Sequence, residues 1–382
     1  MTEDAETARP RCAFCRQRCP LEPVAKPVAD VSATGGGNGE SDDDDDERSS
    51  DSDGAQAFCS TTCRRAYEDT ESVFIDDDSH RKLRPGVAGL DASLPQGLPR
   101  NTFLMLVGNS GTREEAIQAE LVWRTLERGE PAVVVAFTEP PTSVVANFLA
   151  MDWNVLPYLE ADQLHLVDCF TYRMDDRARL YDRMTDWNAH LLEATEPQTT
   201  AVRDPSDSQA VLNAVDNCLE ALEMVETGVV VIDSIAEYGS LVQPVQAYDF
   251  VKNVRAEVCK GRFVPVIAGA TVEGAADDFP RDLDYVVDGV VDLRLDNSIL
   301  EDTLFRRVRV RKLRGVLAIS EWHTYEYTSG LGMVTFDPQA ELEGNATQPE
   351  GTDPKAAGDA DAEMPPGAAQ DGEQSGPVDG DR

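Results

Sequence analysis

A run of apolar residues from Phe103 to Val107 closes on Gly108 and meets a loop of small residues, Asn109-Ser110-Gly111-Thr112. Beyond it, the pattern from Arg113 to Gln118 turns helical. This strand–loop–helix stretch opens a longer alternation. Apolar runs of strand length recur near 102–107, 132–137, 164–168 and 228–233. Helical patterns near 113–128, 141–152, 174–194 and 208–225 separate them. A further helix, about 245–260, leads into a strand at 263–269. The last strands, near 289–295, 305–312 and 318–327, follow one another through short turns. The alternation predicts an α/β fold with a mostly parallel central sheet, and the final strands give it antiparallel C-terminal character.

The layout at 103–118 is that of a phosphate-binding P-loop, whose working pattern is G-x-x-x-x-G-K-[ST]. The corresponding residues are Gly108, Arg113, Glu114 and Glu115. The first glycine is present. Arg113 replaces the second glycine, Glu114 the lysine and Glu115 the hydroxyl residue. A unit charge pair about 4 Å apart is worth on the order of 4 kcal/mol at an effective dielectric near 20. Exchanging plus for minus loses that attraction and adds a comparable repulsion, so the loop is expected to grip triphosphate poorly. Gly108, Gly111, Thr112 and Arg113 are the candidate nucleotide contacts that remain. Thr112-Arg113-Glu114-Glu115 also reads as a capping box, in which Thr112 and Glu115 would bond each other's backbone amides. Two carboxylates in the first turn suit the helix dipole. The helix is expected to satisfy its own amino end, where a phosphate would otherwise sit.

The chain of 382 residues carries 71 acidic and 34 basic side chains, a net charge of −37, and only six lysines. The acidity is spread along the whole length. That favours adaptation to a salt-rich cytoplasm over an acidic chain built for basic partners. Nonspecific nucleic-acid binding is disfavoured, because phosphate backbones need a cationic surface. No apolar stretch resembles a signal peptide or is long enough to span a membrane, so a cytoplasmic location is expected. Cysteines there serve as metal ligands or buried residues rather than disulfides. Cys169, Cys218 and Cys259 are isolated and read as buried small residues.

The N-terminal region pairs Cys12 with Cys15 and Cys59 with Cys63, as C-x2-C and C-x3-C. Four thiolates in two closely spaced pairs suit tetrahedral zinc. Cys19 is an alternative ligand. Phe58, Cys59, Ser60, Cys63 and Tyr67 resemble the second half of the TRASH/YHS treble-clef fingers. The 43 residues between Cys15 and Cys59 exceed the family's spacing. An acidic, low-complexity insert at 30–57 accounts for the excess if it loops out, since flexible insertions cost little loop entropy.

Beyond the finger, Gly89-Leu90-Asp91 and Gly97-Leu98-Pro99 ahead of the P-loop strand resemble the entry to RecA/KaiC-type ATPases. Gly228–Ile235 resembles a Walker B strand ending in Asp233 and Ser234, where a carboxylate helps hold Mg²⁺. The family also carries an earlier strand ending in two glutamates, which the stretch from Val133 resembles. Here Thr138 takes the first place and Glu139, a candidate base, the second. Lys312, Arg314 and Gly315 resemble the strand with which KaiC-type subunits reach a neighbour's nucleotide. The resemblance implies a RecA-like P-loop fold over 85–337, after a zinc-finger module at 1–70 and a linker at 71–84, with a disordered acidic tail at 338–382. It also implies zinc in the finger, and ATP with Mg²⁺ at the loop were the grip intact. The favoured expectation is a non-catalytic or weakly nucleotide-binding regulatory or scaffolding protein. Its partners would be proteins: copies of itself, or an active paralogue to which it lends Lys312 and Arg314. The alternatives are an ATPase using Arg113, Glu139 and Asp233, and a recombinase-like DNA-binding accessory protein.

Overall fold

The computed structural model describes residues 12, 19, 24–25, 57–58, 60–70, 82–173, 177–272, 279–298 and 303–340. Most of the expected insert, linker and tail lies outside these residues, as do Cys15 and Cys59. Near the N-terminus, β1 (Val24–Ala25) pairs antiparallel with β2 (Ala57–Phe58), with Val24 opposite Phe58. Helix α1 (Thr61–Thr70) follows and carries Cys63.

The main domain runs β3 (Lys82–Leu83), α2 (Ala88–Ser93), β4 (Leu98–Pro99), β5 (Phe103–Gly108), α3 (Glu114–Glu127), β6 (Ala132–Ala136), α4 (Pro141–Ala150), α5 (Leu156–Glu160) and β7 (Leu164–Asp168). It continues with α6 (Arg177–Thr195), β8 (Thr199–Ala201), α7 (Ser208–Ala221), β9 (Val229–Ile232), α8 (Ile235–Leu241), α9 (Pro244–Val254) and β10 (Val266–Thr271). Four strands finish it: β11 (Gly289–Asp296), β12 (Phe305–Leu313), β13 (His323–Thr328) and β14 (Gly332–Phe336). A π-helical turn at Arg255–Gly261 extends α9.

Ten strands form one sheet in the order β14-β13-β12-β11-β5-β10-β9-β6-β7-β8. From β11 to β8 every pairing is parallel. From β11 outward to β14 every pairing is antiparallel. The predicted fold class therefore holds: α/β, mostly parallel, with antiparallel C-terminal strands.

Alternation along β5 explains the layering. Successive side chains of a strand point to opposite faces. Phe103, Met105 and Val107 join a core with Val215 and Leu219 of α7 and Phe250 and Val254 of α9. Leu104 and Leu106 join the opposite core, with Ile117 and Leu121 of α3 and Phe148 of α4. Both faces of β5 are covered, so its residues read as one unbroken apolar run.

One charged cluster ties the layers together. The Asp288 carboxylate, almost wholly buried, accepts from the Phe103 amide, from the Arg255 guanidinium at 2.7 and 2.9 Å, and from Lys260 Nζ at 3.0 Å. These donors hold its pKa below the usual carboxylate value against the opposing effect of burial. Breaking a buried pair strands the remaining charges. Since Arg255 and Lys260 are partly exposed, we expect Asp288→Ala to lower the unfolding free energy by about 2 kcal/mol. Urea denaturation at pH 7 measures this, and an unchanged midpoint would refute it.

Candidate functional site

The parallel register brings four strand ends together. Thr271 of β10 lies opposite Gly108 of β5, Ala268 opposite Ile232 of β9, and Ile232 opposite Val135 of β6. The P-loop-like turn, Thr271, Asp233 and Thr138 consequently share the carboxyl edge of the sheet. Ligands of open α/β sheets bind along this edge.

Steric closeness fixes the loop. A Cβ on Gly108 would stand 2.4 Å from Thr112 Oγ1, so only glycine fits. Gly111 has φ +90° and Arg113 φ 57°, both left-handed. Arg113 sits where the P-loop pattern places its second glycine. An L-residue there costs roughly 1–2 kcal/mol, which is the reason the pattern asks for glycine.

The left-handed turn at Arg113 overturns the expected capping box. Arg113 itself becomes the N-cap, with no side-chain cap bond, and the helix starts at Glu114. The Thr112 hydroxyl donates back to the Asn109 carbonyl at 2.7 Å instead of accepting from the helix. The two carboxylates do occupy the first turn, as expected. The loop is also held from the far end of the chain. Arg306 Nε donates to the Gly111 carbonyl at 2.9 Å, and the Tyr325 hydroxyl to that of Thr112 at 2.5 Å. Asn109 Nδ2 donates to the Val272 carbonyl at 2.9 Å. No local signal in the sequence marks these contacts.

Glu114 is buried at the position of the P-loop lysine. The Thr271 hydroxyl donates to its Oε1, while Oε2 is buried without a hydrogen-bond partner. Burial raises its pKa to about 7, and the charges of Glu115 and Asp233 push the same way against the Thr271 bond. Asp233 is committed to its own chain. Its Oδ1 accepts from the Phe137 amide at 2.9 Å, and its Oδ2 from the Thr138 amide at 3.0 Å and hydroxyl at 2.6 Å. Burial raises its pKa, although these bonds oppose the shift. Thr138 thus supplies the hydroxyl that holds Asp233. Ser234 accepts from the Glu237 amide at 3.0 Å and caps α8. Glu139 Oε2 accepts from Asn147 at 2.8 Å.

Arg113, Glu115, Thr138, Glu139 and Asp233 meet at a cavity of about 390 Å³ between α3 and α4. Lys312 and Arg314 belong elsewhere. Lys312 Nζ donates to the carbonyls of Asp284 and Val287, at 2.5 and 2.8 Å. Arg314, half exposed, donates to the Tyr285 carbonyl at 3.4 Å and lies 3.8 Å from Asp288. Among the predicted zinc ligands, Cys12 and the alternative Cys19 are buried, and Cys63 is partly buried. Among the described residues no three His, Cys, Asp or Glu side chains gather as a metal-holding group. Cys169, Cys218 and Cys259 are buried in the core, as expected.

A family model described as the KaiC ATPase matches residues 83–340. The chain belongs to the KaiC ATPase family. Its relatives include a UPF0273 protein of Methanopyrus kandleri, 25% identical over 247 residues, which cover 65% of this chain and 89% of that protein. A UPF0273 protein of Thermotoga maritima is 25% identical over 252 residues, 65% of this chain and 93% of that one. Among solved structures, the KaiC-like protein PH0186 of Pyrococcus horikoshii superposes with a TM-score of 0.52 at 17% identity. That match covers 67% of this chain and 99% of its neighbour, and at such identity it speaks for the fold alone. In this KaiC-family domain Asp233 directly follows β9, Glu139 lies three residues beyond β6, and Glu114 and Glu115 open α3. Among the described residues no helix is long and apolar enough to cross a membrane.

Proposed function

We propose that this KaiC-family domain has kept the ATPase frame, has given up the triphosphate grip, and works as a regulatory or scaffolding subunit through protein contacts. One observation carries the reading: the amino end of α3 presents Glu114 and Glu115 where a lysine and a hydroxyl would meet phosphate and metal. Glu114 is buried and bonded by Thr271, and both oxygens of Asp233 are engaged by Phe137 and Thr138. Such a donor set suits Mg²⁺–ATP poorly. The arginines of β12 are spent on acids, with Arg309 and Arg311 bonded to Asp292 and Arg307 to Asp296, which favours a protein partner over a nucleic acid. Further copies of the chain, or an intact relative, are the partners this reading expects.

The test is a titration of wild-type protein with ATP–Mg²⁺. Saturable binding is expected no tighter than about 1 mM, whereas micromolar affinity would end the proposal. The rival reading is a working ATPase, favoured by the placement of Arg113, Glu139 and Asp233 around one cavity. Phosphate release above background, abolished by Asp233→Ala, would establish it instead.

A further inference from the structure

The cavity between α3 and α4 extends well past the loop. Glu115 and Val122, both on its wall, are seven residues apart on α3, which is about 10 Å along a helix axis. Its deep part is apolar: Val122 from α3, Phe148 from α4, Met151 just beyond it, and Val134 and Val231 from the sheet. Its other end carries Glu115, Glu139 and Asp233 against one cation, Arg113. The volume, about 390 Å³, falls among small-molecule sites, which run from roughly 300 to 1,000 Å³. A hydrocarbon floor beneath a carboxylate-rich mouth selects for charge and shape together.

A second observation points the same way. Glu114, next in the chain to Glu115, lies behind the cavity wall rather than on it, bonded by Thr271 through Oε1 and with Oε2 buried and without a hydrogen-bond partner. It is close enough to Glu115 and Asp233 for both charges to raise its proton affinity. Arg113 is the single cation among the residues lining the cavity, against three carboxylates. An anion would meet three carboxylates, and the field of a chain with net charge −37 draws cations toward the cleft.

We propose that the cleft binds a small organic ammonium ion, its charge against Glu115 and Glu139 and its hydrocarbon body against Val122, Phe148 and Met151. Asn147, bonded to Glu139, orients that carboxylate toward the task. The inference is independent of the fate of the phosphate loop, since its probe carries no phosphate.

Calorimetric titration of the full chain with 2-phenylethylammonium tests it, with neutral 2-phenylethanol as the comparator of the same shape. The amine is expected to bind at one site with a Kd of about 1 mM or below, and at least about tenfold tighter than the alcohol. Glu139→Gln should weaken the amine about tenfold and leave the alcohol unchanged. Ala119→Leu, at a partly exposed residue of the cavity wall, narrows the cleft and should weaken both. If that variant fails to fold, Glu139→Gln decides alone. Equal binding of amine and alcohol, wild-type affinity in folded Glu139→Gln, many weak sites in place of one, or no binding up to about 10 mM would each overturn the proposal.

Discussion

Glu114→Gln should stabilise the protein by about 3 kcal/mol at pH 8 and by almost nothing at pH 4.5. The expectation follows from the carboxyl's surroundings. In the unfolded chain Glu114 titrates near 4.5, and in the fold near 7, because burial disfavours its charge. Below the unfolded value both states hold the proton and the site is neutral to stability. As pH rises from 4.5 through 7, the unfolded chain has already released its proton while the folded one holds it, so stability falls. Above 7 the full penalty is present. The gap, at about 1.36 kcal/mol per unit, corresponds to about 3 kcal/mol. Glutamine mimics the protonated acid. Its carbonyl still accepts from Thr271, and its amide replaces an oxygen that was already without a partner. Urea denaturation of both proteins at the two pH values measures the difference. A gain of equal size at pH 4.5 and pH 8 would contradict the account.

Restoring the lysine and hydroxyl should restore nucleotide affinity. At pH 8, above the folded-state pKa of Glu114, Glu114→Lys with Glu115→Thr removes two negative charges from the amino end of α3 and adds a positive one. Each unit charge about 4 Å from phosphate is worth on the order of 4 kcal/mol at an effective dielectric near 20, and solvent reduces this. We expect the affinity for ATP–Mg²⁺ to rise at least about a hundredfold, or about 2.8 kcal/mol. Glu114→Gln alone should fall between the two, since it removes repulsion without adding attraction. This graded order separates an electrostatic cause from a steric one. A folded double variant with the affinity of the wild type would defeat the explanation.

The sequence showed the frame more clearly than the site. Leu164–Asp168 and the parallel strands around it are short apolar runs buried on both faces, and such runs can be read locally. Other elements hid. Pro157 masks α5, and Thr199–Ala201 is a three-residue edge strand with little apolar content. Gly332–Phe336 carries no clear strand signal because two of its five residues are a glycine and a threonine, and its partner β13 starts at His323 rather than at 318. At the site, the charges at 114 and 115 were legible, but their setting was not. The capping box failed because a local pattern does not announce that Arg113 will turn left-handed. The Thr271–Glu114 bond spans 157 residues, so only the parallel register brings it about. Nothing local to Thr138 signals its hydroxyl bond to Asp233, 95 residues away in the chain.

The clasp on the loop sets an order of events during synthesis. Gly111 waits for Arg306, 195 residues later, and Thr112 for Tyr325, 213 residues later. Contacts of such long separation form late, because the intervening chain must first be closed. The loop is written in the first third of the chain and fastened by its last strands. A nascent chain that has not yet released β13 from the ribosome carries the strand–loop–helix with its carbonyls unheld.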